Sequence, residues 1–115
     1  MINGAHVIIY SRDAQADRQF LRDVLGLGHV DAGEGWLLFK APPVEFAVHP
    51  TDGPGSHELY LMCDDVHATV DELAAKGVEL SAPEDMGWGV MSTITLPGGG
   101  QLGLYEPRHP TAVDL

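Results

Sequence analysis

The sequence predicts an α+β domain made of two β-α-β-β-β units, and three observations carry that expectation. The segment from His6 to Asp13 (HVIIYSRD) recurs at a spacing of 52 residues as Glu58 to Asp65 (ELYLMCDD), each an alternating apolar strand ending in a helix-capping Asp. Each segment runs into an amphipathic stretch that closes on Gly26 or Gly77. Short apolar runs separated by turn formers follow both stretches, as expected when one supersecondary unit is duplicated.

The first unit, about residues 3–50, opens with a strand over residues 4–11. Asp13 caps a helix whose Ala16, Phe20, Leu21 and Val24 share one face. Gly28 to Ala32 and Trp36 to Lys40 form a hairpin around Asp31, Gly33 and Gly35, and Val44 to His49 is a fourth strand after Pro42 and Pro43. Residues 50–56, rich in turn formers, link the units. The second unit, about 57–107, repeats the order with a strand from His57 to Cys63 and a helix from Val66 to about Lys76. Strands near Val78 to Leu80, Val90 to Leu96 and Gln101 to Glu106 follow, the last two joined by the turn Pro97 to Gly100. Residues 107–115 read as an extended tail. The whole, residues 1–115, is expected to be one domain with a shared core.

Charge narrows the partners. Six Lys and Arg against 17 Asp and Glu give a formal charge of -11, a field that repels nucleic acid and anionic membrane surfaces. There is neither a signal-peptide pattern nor an apolar run of bilayer length, and Cys63 is the single cysteine, so a cytoplasmic protein without disulfides is expected. The partner that remains is a small molecule.

Strand alternation assigns the faces. Val7 and Ile9 are expected under the first helix, with His6, Ile8 and Tyr10 opposite; Leu59, Leu61 and Cys63 lie under the second, with Glu58, Tyr60 and Met62 opposite. Val44, Phe46 and Val48 point inward, as do Leu102 and Leu104, leaving Glu45, Ala47, His49, Gln101, Gly103 and Tyr105 on the other side. The face away from the helices is thus polar and rimmed by aromatics, which suits a ligand site better than a dry core. Trp36 and Trp88 stand in the hairpin regions of the two units, and Gly87-Trp88-Gly89 has the make-up of a loop that closes over a planar ligand. Cys63 reads as a small buried hydrophobe and His67 as solvated; His29 and His109 have no predicted partner, and His57 faces away from Glu58.

The paired unit order, the H-x-x-x-Y-x-x-D opening at His6, Tyr10 and Asp13, the run from Phe20 to Leu27 and the PGGGQLGLYE close from Pro97 to Glu106 resemble the vicinal oxygen chelate superfamily. That superfamily includes glyoxalases, extradiol dioxygenases, thiol transferases acting on fosfomycin, and bleomycin-binding proteins. The resemblance covers about residues 3–107. It implies an open, curved mixed-sheet half-barrel with helices on its outer face and a site inside.

It also implies a metal, with ligands from the first and last strands of each unit. Those positions fall on His6, Glu45, Glu58 and Gly103, and Gly103 cannot ligate. One imidazole and two carboxylates suit a divalent Mn, Fe, Ni, Co or Zn ion with open positions for substrate. His49 or Gln101 could fill the gap. The expected function is accordingly a metal-dependent lyase, isomerase or ring-cleaving oxygenase in which Tyr60, Tyr105, His49 or a non-ligating Glu45 moves or orients a proton, and Tyr10, Trp36, Trp88 and Gln101 line the pocket. The alternative is a metal-free protein that sequesters an aromatic or cationic small molecule, with His6 and Glu58 merely hydrogen-bonded. Either way the two half-barrels close within one chain or by pairing one unit with the other unit of a second copy, and the homodimer is the expected form.

Overall fold

A computed structural model describes residues 6–45, 47–54 and 56–113. Two helices stand at the same 52-residue spacing as the repeat: α1 (Ala14–Asp23) and α2 (Val66–Ala75). Their starts are built alike. Asp13 Oδ1 accepts from Ala16 N at 3.1 Å and Asp65 Oδ1 from Ala68 N at 3.0 Å, each carboxylate capping backbone donors the first turn leaves unpaired. Gly26 and Gly77, at φ 67° and 83°, turn the chain out of the helices where a side chain would be strained.

Two sheets accompany them. The hairpin β1 (His29–Asp31) and β2 (Leu37–Phe39) forms as expected, its turn tied by the Asp31 carboxylate, which accepts from Gly33 N at 2.7 Å and from Gly35 N. The second sheet holds β3 (Tyr60–Met62), β4 (Glu79–Leu80), β5 (Glu84–Asp85), β6 (Gly89–Thr95) and β7 (Gln101–Pro107). Its order is β3-β7-β6-β4, with β5 also on β6; β3 runs parallel to β7 and the other pairs are antiparallel. The class is therefore α+β with mixed, unclosed sheets.

The core lies between this second sheet and the helices. Val66 and Leu73 of α2 meet Val90, Ile94, Leu96, Leu102 and Leu104, and Leu59, Leu61 and Cys63 pack against them from the side assigned by alternation. The helix of the first unit joins the same core through Phe20, with Leu21, Val24 and Leu25 around it. A buried carboxylate strengthens the join: Asp17 Oδ1 accepts from Gly98 N at 2.7 Å, tying α1 to the glycine turn of the second unit. A Cβ on Gly98 would stand 2.1 Å from Ser11 Oγ and 2.9 Å from Asp17 Oδ2, so those side chains would have to shift to admit one.

That docking explains where the expectation for the first unit fails. Residues 6–11, 44, 45 and 47–49 belong to no sheet. Val7, Ile9 and Val44 are exposed rather than covered, and Val48 is 98% exposed. The expected helix cover is missing because α1 packs on the second unit instead. Phe46 and residues 4 and 5 of the expected strands lie outside the described residues. The tail also differs from expectation, since the His109 ring lies against Tyr105 and Ala112 N donates to Glu45.

Candidate functional site

The sheet face away from α2 carries the site. The register pairs Tyr60 with Gly103 and Gly103 with Thr93, then Met62 with Tyr105 and Tyr105 with Met91, so two cross-strand rows share that face. Three rings gather over them. Tyr60 and Tyr105 stand edge to face with centroids 5.9 Å apart, Trp88 meets Tyr105 at 5.2 Å and 75°, and Trp88 meets Tyr60 at 6.4 Å and 89°. Tyr105 is only 9% exposed at the bottom, whereas Tyr60 and Trp88 remain 37% and 41% exposed at the rim. Such edge-on pairs leave ring faces available to a further flat group.

Local structure fixes each ring. Trp88 sits in the turn between β5 and β6: Gly87 takes φ 85°, Asp85 accepts from Gly87 N at 2.9 Å, and Met86 N donates to Gly89 O at 2.8 Å. Arg108 pins that turn from the tail, its N–H donating to Trp88 O at 2.9 Å and its guanidinium pairing with Asp85 at 3.0 Å. Hydrogen bonds from Gly87 and the charge of Arg108 hold the Asp85 carboxyl below its ordinary range. The ring of Tyr60 lies directly on Gly103, where a Cβ would come within 2.0 Å of Tyr60 Cδ1. The position at which the resemblance places a fourth metal ligand is therefore filled by a phenol ring, and Gly103 serves as the close approach that ring requires.

Two carboxylates border the rings. Tyr60 donates to Glu58 Oε2 at 2.8 Å, and this bond, followed by burial and the Glu58 charge, raises the phenol pKa. Tyr105 is raised first by burial and then by the charge of nearby Glu45. Both phenols thus stay protonated, with the Tyr60 hydrogen already given to Glu58. Because the folded pKa of Tyr60 is raised, the favourable contribution of its bond holds below the ordinary tyrosine range and is lost as pH rises through the raised value. In Glu58→Gln the Tyr60 titration, followed by tyrosinate absorbance, should shift back down.

The remaining expected site residues are dispersed. Glu45 is half-buried, and its Oε2 accepts from Ala112 N at 2.6 Å. His6, His49 and Gln101 are exposed, and Tyr10 is 88% exposed. Trp36 stands away from the rings with the Arg18 guanidinium 4.5 Å over it. His6, Glu45 and Glu58 do not converge, and among the described residues no group of three His, Cys, Asp or Glu side chains is placed to hold a metal ion. As arranged, the described donors of one chain do not fit a metal ion. Sequence reasoning missed His109, which stacks on Tyr105 at 5.9 Å and 29°, as well as Met91 and Thr93. Alternation within β6, where Val90, Ser92 and Ile94 are buried beneath the helix, carried the signal for the last two.

Two clefts of about 480 and 290 Å³ lie elsewhere, the first beside Phe20 and Leu96, the second among Leu61, Leu73 and Leu104. Their walls mix core side chains with Lys76, Glu79 and Thr95 in the first and with Thr69, Glu72 and Lys76 in the second, and neither gathers a cluster of aromatic rings, so the ring-lined face is the better candidate. Cys63 lies partly buried with its thiol pKa raised by burial, the setting of a packing residue rather than a nucleophile.

Comparisons with known proteins agree with this architecture. The family model described as Glyoxalase/Bleomycin resistance protein/Dioxygenase superfamily matches residues 4–107, and the chain belongs to that superfamily. No curated protein matches it. Among solved structures it is similar to a lactoylglutathione lyase from Agrobacterium tumefaciens, with TM-score 0.65 and 19% identity over 90% of this chain and 92% of that one. It is also similar to TnmS3, an antibiotic binding protein from Streptomyces sp. CB03234, with TM-score 0.62 and 24% identity over 90% and 99% of the two chains. A superfamily member from Sphaerobacter thermophilus gives TM-score 0.58 and 24% identity over 91% and 98%. At these identities the likeness establishes the fold. No helix among the described residues is long and apolar enough to cross a membrane.

Proposed function

We propose that this chain is a metal-free binding protein that sequesters a flat aromatic cation against Tyr60, Trp88 and Tyr105. One observation carries the reading: the ring of Tyr60 is seated on Gly103, so the fourth-ligand position of the resemblance supports an aromatic wall instead. Glu45 and Glu58 beside the rings, within a chain of formal charge -11, favour a positive ligand and steer it inward. The fold is shared with both a lyase and an antibiotic binding protein, so the side chains must decide. A cytoplasmic setting suits the single Cys63.

A second reading, a divalent-metal lyase, isomerase or ring-cleaving oxygenase, rests on His6, Glu45 and Glu58. These would meet only if the extended segments of the first unit paired with the second unit of another copy. The exposure of Val7, Ile8, Tyr10, Val44 and Val48 supports such a homodimer.

Proflavine, a flat cationic heterocycle, tests the choice. It should quench tryptophan fluorescence saturably, bind about tenfold more weakly in Trp88→Ala, and far outcompete the planar anion pyrenesulfonate. Absence of quenching, together with near-stoichiometric Mn, Fe, Ni, Co or Zn that disappears in His6→Ala and Glu58→Ala, would transfer the assignment to the enzyme.

A further inference from the structure

The C-terminal segment is built into the site. Beyond the Arg108 pin at Trp88 and Asp85, the His109 ring stacks on Tyr105, and its Nε2 lies 3.3 Å from the Tyr105 hydroxyl. Its Nδ1 stands 2.8 Å from Pro110 O, which can only accept, so Nδ1 carries the proton and Nε2 accepts from the phenol. Two residues on, Ala112 N donates to Glu45 Oε2 at 2.6 Å. A flat nitrogen heterocycle on Tyr105 and an N–H directed at Glu45 are the contacts a ligand of this face would make.

We infer that residues 108–113 form a strap that occupies the ligand site in the unliganded protein, and that the ligand displacing it is a planar heterocycle presenting an N–H donor to Glu45. This rests on the binding reading above and adds to it the donor edge and the competition. The strap is suited to leave. Among the described residues its hold beyond Arg108 is one stacked ring, the Tyr105 hydroxyl bond to His109 and one charge-assisted bond, Thr111 and Ala112 are exposed, and the Arg108 pin can stay while the rest swings away. A closed strap lowers the population of the binding-competent form, so apparent affinity falls by the same factor.

The full-length double variant His109→Ala/Ala112→Pro removes the ring and the N–H without altering a core residue. Proflavine should bind it about tenfold more tightly than it binds the wild type, the order by which one stack and two such bonds would favour closure. Amide spectra of the wild type should show Ala112 losing its bonded environment as proflavine is added. N-methylacridinium, a planar cation without an N–H, should bind more weakly than proflavine and lose less on Glu45→Gln. Unchanged or weaker proflavine binding by the double variant overturns the strap while leaving the binding reading in place, because His109 would then be a wall of the site. Equal binding of the two cations overturns the donor requirement. Binding by neither the wild type nor the double variant overturns the site reading and the strap together.

Discussion

Gly103→Ala should weaken proflavine binding at least about tenfold and cost about 1–3 kcal/mol of stability, the usual range for forcing an extra methyl into a packed position. Glycine inside a strand is ordinarily a weakness, and exchange for alanine would by itself gain about 0.5–1 kcal/mol. The sign reverses here because the new Cβ would fall 2.0–2.7 Å from three atoms of the Tyr60 ring, Cγ among them. Turning the far end of the ring cannot relieve a clash that includes its root. The whole ring must swing off the strand, which breaks the bond to Glu58 and the edge contacts with Trp88 and Tyr105. Urea unfolding with tryptophan fluorescence reads the stability, and the double variant Tyr60→Ala/Gly103→Ala should recover most of the strain but none of the binding. A Gly103→Ala protein as stable and as tightly binding as the wild type would remove the ring from its place over β7.

The same pair of residues shows what the sequence could convey. Alternation correctly put Tyr60, Gly103 and Tyr105 on one face and Leu59, Leu61, Leu102 and Leu104 on the other, because a pleated strand leaves no choice. The repeat likewise placed both helix caps. Alternation does not say which neighbours fill the space above a face, so Gly103 looked like an absent ligand until the ring over it was seen. His109 was illegible for a related reason. It follows a strand-ending Pro107 in a segment without periodicity, and nothing in the sequence says that its ring turns back onto Tyr105 four residues before it. The first unit was misjudged at the level of packing: its strands were assigned a core on the premise that each helix covers its own unit. That premise fails at a single residue of α1.

Phe20→Ala should cost about 3–5 kcal/mol, a large share of the roughly 5–15 kcal/mol that holds a domain together. Phe20 is the buried apolar side chain of α1, and it joins the cluster built from Val66, Leu73, Ile94 and Leu104, all of the second unit. The surrounding Leu21, Val24 and Leu25 are only partly buried, so they cannot replace its contacts, and the cleft beside Phe20 and Val24 would widen into a cavity rather than collapse. What would remain of the attachment is the partial packing of Leu21, Val24 and Leu25 and the Asp17 bond to Gly98, the bond worth about 1.5–3 kcal/mol as a hydrogen bond to a charged group. The loss should therefore appear as a lower urea midpoint, with α1 amides exchanging faster than those of α2, and Phe20→Leu should recover much of it by keeping most of the volume. A cost near 1 kcal/mol, with α1 and α2 protected alike, would mean that the helix stands on its own unit. The segments at residues 6–11, 44–45 and 47–49 would then have the cover that the repeat predicts for them.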